Sequence, residues 1–361
     1  MKCEWKKCSL GSLMTFKNGK KRPDTGTAFP VYGGNGVLGY ADKWNNENCV
    51  VIGRVGAYCG SVFREKERCW ISDNAISGIS DDDNIEYLYY LLKSLQLNQR
   101  HIGTSQPLLT QEILNNIQVT VPPHIVQNKI ATILRALDDK IELNNKINEN
   151  LLEQADLLYE HIFSNERNFS ELGNVIKTAS GGTPSRKHIE FYENSSICWV
   201  KSKELNGGFI HNTEEMINEI ALSKSTAKIL PSHCVLVAMY GATVGEYGII
   251  SLPMTCNQAI CALIPNDRYP YPYLYELIRH SKEILKKLAV GSAQQNISQV
   301  LIKQLPVHVN SDKIAQFSDA TTGHFRMIET LTLENIYLAF IRDTLLPKLM
   351  SSTLELSDNQ I

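Results

Sequence analysis

The sequence has no excess of either charge, no C-x-x-C cysteine pair and no long apolar run, and each absence removes a class of protein. Lys+Arg and Asp+Glu number 36 and 38, a formal net charge of −2, so no global basic charge marks a nucleic-acid binder. No stretch approaches the roughly 18–20 consecutive apolar residues of a membrane span; the most apolar segment, 234–254, is interrupted by Gly, Glu and Pro. The opening MKCEWKKCSL carries charges but no apolar core of a secretory signal. Nine cysteines are an odd number. Cys3/Cys8 and Cys256/Cys261 are spaced by four residues with no second pair to close a tetrahedral site, and His233-Cys234 are adjacent, a poor geometry for one ion. Reduced cysteines in a cytoplasmic protein without a metal site are therefore expected. What is present is an ordinary globular balance, 43% hydrophobic and 20% charged over 361 residues, enough for two domains.

The informative feature is an internal duplication. Ser9-Leu10-Gly11 is echoed by Glu171-Leu172-Gly173, each followed by a polar, basic stretch (17–23 and 177–187). VVIGRVGAYCGSV (50–62) is echoed by VLVAMYGATVGEY (235–247), pairing Gly56 with Gly241 and Gly60 with Gly245 at an offset of 185. DNAI (73–76) matches NQAI (257–260) at 184, IGTSQPLLTQEILNNIQVTVPP (102–123) matches VGSAQQNISQVLIKQLPVHV (290–309) at 188, and Ile130-Ala131 matches Ile314-Ala315 at 184. The order is kept throughout, and matches in register outweigh any single one.

Charge repeats too. Residues 1–122 and 166–306 each carry 14 basic and 12 acidic side chains, whereas 123–165 and 307–361 each carry 4 and 7. Two mildly basic globules, each followed by an acidic segment, hide behind the near-zero total. The globules read as mixed α/β units, because VVI (50–52) and VLVA (235–238) are short apolar runs ending in tight loops, while 88–97 and 273–288 have helical spacing.

The acidic segments read as long helices. After Pro122-Pro123, apolar residues at 130, 134, 137, 141, 151, 155, 158 and 162 alternate steps of four and three, a heptad seam. Asn144 and Asn148 sit in that seam, either as a buried pairing device or as an exposed stretch mid-helix. The second segment, from Ile314 to Leu345, is less regular, breaks near Thr321-Thr322-Gly323-His324 and is expected to stop at Pro347. Two such helices in one chain most simply pack on each other.

Catalytic motifs are weighed and set aside. Gly34-Asn35-Gly36-Val37-Leu38-Gly39 satisfies G-x-G-x-x-G, but it leads into a turn-rich segment and not a helix, and no acid follows at the right distance. There is no phosphate-binding P-loop sequence, and no Ser, His and Asp set presents itself as a triad. Pro122-Pro123 lack the preceding Asn or Asp and following aromatic of an adenine-methyltransferase loop. Asp138-Asp139-Lys140 matches a nuclease fragment but falls on the heptad helix.

Polar, basic and aromatic loop residues of both globules remain as DNA-contact candidates. Lys17, Lys20, Lys21 and Arg22 form a cluster suited to phosphates. Arg54 lies in a Gly-flanked loop and suits guanine, while Asn74, Gln106, Gln258 and Gln294 carry amides that read adenine. Tyr32, Asn35 and Tyr58 complete the first set, and Thr183, Ser185, Arg186, Lys201, Tyr240 and Thr243 the second.

VYGGNGVLGY (31–40), VIGRVGAYCG (51–60), DNAI, IGTSQPLLTQEILNNIQVTVPP and SGGTPSR (180–186), with the helical 130–159 and LLPKLMS (345–351), make the chain resemble the specificity subunits of type I restriction-modification systems. The resemblance implies two globular α/β target-recognition domains, 1–122 and 166–306, with long helices at 123–165 and 307–361 forming an antiparallel coiled coil about a pseudo-two-fold repeat. It implies a non-catalytic reader of bipartite double-stranded DNA that docks two methylation subunits and restriction subunits. S-adenosylmethionine, ATP and magnesium then belong to the partners, with no cofactor in this chain. The family usually has a more regular second helix, so the break at 321–324 bears on the rigidity of that half. A helix over 125–163 would be roughly 58 Å long, more than the roughly 34–36 Å of one DNA turn, and would act as a ruler between half-sites. The rival readings are the recognition subunit of a fused methyltransferase-nuclease system and a coiled-coil scaffold that touches no DNA. A free-standing methyltransferase fails on the missing motifs.

Overall fold

A computed structural model describes residues 4–80, 82–103, 106–289 and 296–351. The chain divides into two compact units, one made of residues 1–141 with 337–361 and the other of 142–336. Each long helix, His124–Phe163 and Ser311–Met350, contributes one part to each unit.

The first unit is built on a six-stranded sheet. Its order is Thr15–Asn18, Ala75–Ile79, Asn46–Gly53, Val62–Ile71, Phe29–Gly33 and Gly36–Ala41. All neighbours are antiparallel except Phe29–Gly33 with Val62–Ile71. The run VVI is continuous and not alternating because its strand is covered on both faces. Val50 and Ile52 pack with the helix Ile85–Ser94 and with Ile130, Leu134 and Leu349 of the long helices, whereas Val51 faces Cys49, Cys69 and Ile71.

The second unit repeats the plan. Its main sheet runs Lys177–Ser180, Ile260–Ile264, Val235–Ala238, Tyr247–Ile250 and Phe209–Ile210, beside a three-stranded sheet of Met216–Ile217, Ile197–Val200 and Thr255–Cys256. Val235 and Val237 face the helix Tyr271–Leu288 and the long helices, while Leu236 and Ala238 face a separate cluster.

The strand registers align the two units residue by residue. Gly53 opposes Ala75 as Ala238 opposes Ile260, and Val31 lies beside Trp70 as Trp199 lies beside Thr255. The structural offset across the two central strands is thus a uniform 185. The DNAI/NQAI match at 184 is one residue out: Ala75 corresponds to Ile260, and Asn74 to Ala259 instead of Gln258.

Within each unit the long helices run antiparallel. Asp138 pairs with Arg342 at 2.6 Å in the first. In the second, Asn144 Nδ2 donates to Asn335 Oδ1 at 2.8 Å and to Glu334 Oε2 at 2.7 Å, and Asn148 Nδ2 reaches Thr332 Oγ1 at 3.5 Å. Asn144 is fully buried, so it is a cross-helix pairing device and not an exposed patch. Two expectations for the second helix are corrected. It runs unbroken through 321–324, because Thr321 and Thr322 return their hydroxyls to the carbonyls of Phe317 and Ser318 at 2.8 and 2.6 Å. Pro347 lies inside the helix, which continues to Met350. Asp138, the acid of the nuclease-like fragment, is occupied structurally by Arg342 and by the Tyr90 hydroxyl at 2.7 Å. No helix among the described residues is long and apolar enough to cross a membrane, and the eight described cysteines are free thiols.

Candidate nucleic-acid interface

In the first unit, the strand Asn46–Gly53 ends in a loop that closes on itself: Gly60 N–H donates to Gly53 O at 2.8 Å, and Gly53 N–H to Ser61 O at 2.9 Å. Gly60 has φ +87° and passes so close to Leu97-Asn98 that a Cβ there would lie 2.2 Å from Asn98 N, which only glycine permits. The Arg54 backbone is held on both sides. Its N–H donates to Asn74 O at 3.0 Å, and its carbonyl accepts from Leu109 N–H at 2.9 Å. Gly56 N–H donates to Pro107 O at 3.1 Å, bringing Gln106-Pro107 alongside. The hairpin turn Gly34-Asn35 joins them through Ser61 Oγ, which donates to Gly34 O. Thus Asn35, Arg54, Tyr58, Asn74 and Gln106 lie on neighbouring loops. Arg54 is half-buried with an unpartnered Nε, and Tyr58 is exposed.

Lys17, Lys20 and Lys21 are exposed, and no carboxylate pairs with them among the described residues. Lys17 and Lys20 line an open cavity of about 370 Å³ with Trp44 and Asn46. Arg22 is latched onto the hairpin, Nη2 donating to Leu38 O at 3.1 Å. That hairpin, Phe29–Gly33 with Gly36–Ala41, is what G-x-G-x-x-G forms; the glycine stretch opens a strand and not a nucleotide-binding helix. Tyr32 leaves the exposed set. It is a core residue, corresponding to Val200 of the second unit, and its hydroxyl donates to Glu65 Oε2 at 3.0 Å. Burial first, and then Glu65, push its phenol well above the usual range.

The second unit has the same loop with different side chains. Gly245 N–H donates to Ala238 O at 3.0 Å, Met239 N–H to Ala259 O at 2.7 Å, and Ile297 N–H to Met239 O at 2.9 Å. The position of Arg54 is therefore taken by Met239, which is buried. Tyr240 is exposed on this loop, with Thr243 Oγ1 donating to its carbonyl at 3.1 Å; Gln258 is exposed on the adjoining turn. Gln294 lies outside the described residues.

Thr183, Ser185 and Arg186 are exposed on the loop that follows Lys177–Ser180. The Arg186 guanidinium lies 4.4 Å from the Tyr192 ring centroid and 5.5 Å from that of Trp199, and it bonds Glu215. Lys201 is largely buried and bonds the same Glu215, whose carboxyl is lowered from its ordinary value by Lys201 first and then by Arg186. Tyr192, Trp199 and Glu215 were not legible as site residues. The segment 187–219 has no sequence echo in the first half, and its strand Ile197–Val200 is matched to Phe29–Gly33 only by register, so the repeat gave no signal for them.

One further cluster, Asp156, Glu276 and His280, brings potential ligand atoms within 4.8 Å of one another. An arginine already supplies the positive charge: Arg279 lies 3.3 Å from Asp156 Oδ2 and 3.5 Å from Glu276 Oε1, while His280 Nε2 is 2.7 Å from Asp156 Oδ1. The network ties the helix Tyr271–Leu288 to the first long helix within this unit. Burial pushes the Glu276 carboxyl up to about 8.

Comparison with known proteins places these geometries in a family context. The type I restriction modification DNA specificity domain family matches residues 2–153 and 165–321. The chain is 26% identical over 213 residues to the type I restriction enzyme EcoR124I/EcoR124II specificity subunit of Escherichia coli, covering 55% of this chain and 53% of that protein. It is 24% identical over 356 residues to the type I restriction enzyme HindI specificity subunit of Haemophilus influenzae, covering 74% and 76%. The chain thus spans about half the length of the first relative and about three quarters of the second. In fold it is similar to the crystal structure of a type I restriction-modification system S subunit from M. genitalium, with a TM-score of 0.66 at 17% identity over 99% of this chain and 98% of that one.

Proposed function

The chain belongs to the type I restriction modification DNA specificity family, and from that premise we propose that it is the non-catalytic DNA-reading subunit of a cytoplasmic type I restriction-modification complex. Each globular unit reads one half of a bipartite double-stranded target. The antiparallel helices space the two and dock two methylation subunits, and restriction subunits join the assembly. Methyl transfer from S-adenosylmethionine and magnesium- and ATP-dependent steps belong to those partners.

The observation that carries this reading is the repeated loop, with the same backbone hydrogen bonds in both units but Arg54 in one and Met239 in the other. A shared scaffold with different side chains suits two different half-sites of one asymmetric sequence. Lys17, Lys20 and Lys21, exposed and paired with no carboxylate among the described residues, provide charge for phosphates, which fix position without reading sequence. A scaffold that touches no DNA gives no account of them.

The test separates the two roles. Arg54→Ala is expected to relax the first half-site, accepting other bases where the native complex requires one. Lys20→Ala is expected to weaken binding to all sequences alike and to reduce the salt slope by about one. Equal loss on every sequence for both variants would remove the base-reading role of Arg54.

A further inference from the structure

The second unit lacks the arginine that the first offers from its glycine-rich loop, because Met239 occupies that place and is buried. An exposed arginine stands instead on the loop 181–186 beside it. That loop is packed against the turn preceding Ile260–Ile264: Gly182 N–H donates to Cys256 O at 2.9 Å, and a Cβ at Gly181 would lie 2.1 Å from Asn257 O. Arg186 ends the loop that this contact fastens.

Its surroundings hold the guanidinium between two aromatic rings and a carboxylate. The two rings beside it also fasten the loop. Trp199 Nε1 donates to Gly182 O at 3.0 Å, and Tyr192 Oη donates to Pro184 O at 2.7 Å. Glu215 accepts from Nη2, the only hydrogen bond Arg186 makes among the described residues. Of the five N–H donors of a guanidinium, the Nε and Nη1 groups are left without partners.

The electrostatics separate base reading from phosphate binding. Arg186 and Lys201 share Glu215, and Lys203 pairs with Glu214 at 2.5 Å. Glu204 joins them by accepting from the backbone N–H groups of Lys201 and Glu214 at 2.7 and 2.8 Å, so three acids stand against three bases and leave no net charge to attract a phosphate. The unpaired lysines of the first unit are the opposite case. A buttressed guanidinium whose remaining Nη2 hydrogen and a neighbouring free N–H form a parallel pair matches the O6 and N7 acceptors of guanine in the major groove.

Building on the DNA-reading function proposed above, we propose that Arg186 reads a guanine in the second half-site and that Glu215 is its positioning residue. The test uses the full chain with the methylation subunits of its own system, comparing the methylated-adenine motif of cells carrying the native chain, Arg186→Lys, Glu215→Gln or Glu215→Ala. Arg186→Lys keeps the charge but loses the bidentate fork. It is expected to accept other bases at one G·C pair of the second half-site, with discrimination there falling about 5- to 100-fold and the first half-site and spacer unchanged. Glu215→Ala should relax the same position, whereas Glu215→Gln, which keeps an acceptor for Nη2, should retain most of the discrimination; a merely structural Glu215 would lower methylation without altering the motif. A native motif preserved intact in Arg186→Lys, or methylation reduced equally on all sites, overturns this proposal and leaves the DNA-reading function standing. Absence of any bipartite motif with the native chain overturns both.

Discussion

Glu276→Gln tests whether the buried network of the second unit is understood. Glu276 has no exposed surface, one of its oxygens has no partner among the described residues, and burial raises its carboxyl from 4.5 to about 8. Asp156 pushes the same way, and only Arg279 opposes. An acid whose folded value lies above its unfolded value binds more protons when folded, so stability falls as pH rises through the window from about 4.5 to about 8. At about 1.4 kcal/mol per unit, raising the pH from 5 to 8 costs this unit roughly 3–4 kcal/mol. Glutamine keeps a hydrogen bond toward Arg279 and has no charge to bury. The variant is expected to match the native protein near pH 5 and to exceed it by several kcal/mol at pH 8. Urea unfolding at both values, followed through Trp199, the one tryptophan of that unit, reads the difference. A native unfolding midpoint that rises toward pH 8, or a variant less stable there, would refute the reasoning and mean that Arg279 keeps Glu276 ionised.

Other expectations follow from the helices and from the acid at their first-unit end. Asn144→Ala removes two cross-helix hydrogen bonds from a buried position, and a loss of about 1–3 kcal/mol in unfolding of the second unit is expected, read by the same denaturation. Inserting one helical turn before Asn144, with a matched insertion in the opposing helix, should lengthen the spacer between half-sites in the methylated motif; an unchanged spacer would sink the ruler role. Asp138→Asn should weaken the hold on Arg342 and Tyr90 and lower the melting temperature, while leaving the methylated motif unchanged; a changed motif would show that this acid does more than brace the helices.

The duplication was visible in the sequence because the loop needs glycine at matched places: Gly60 and Gly245 both have positive φ, and Gly60 also passes too close to Asn98 for a Cβ. The helices were visible through their heptad spacing, including the place of Asn144 in the seam. Other features were hidden for identifiable reasons. The apparent break at 321–324 is polar in composition, yet threonine hydroxyls satisfy the preceding turn and let the helix pass. Tyr32 reads as a loop aromatic beside glycines, but it lies within the strand Phe29–Gly33 with its side chain buried, and Glu65, 33 residues away, satisfies its hydroxyl. DNAI and NQAI share letters one residue out of structural step, because the strand register pairs Gly53 with Ala75 and Ala238 with Ile260. Of the partners of Arg186, Trp199 stands where the first unit has Val31, and Tyr192 and Glu215 lie in a stretch with no sequence echo of the first half, so matching letters could not single them out.

The most direct test of the central claim is to map methylated adenine across the genome of the source cell with and without this gene. Loss of one bipartite motif on deletion is the predicted result, and it would supply both half-sites and the spacer. An unchanged methylation map, from cells in which the complex is expressed, would contradict the account.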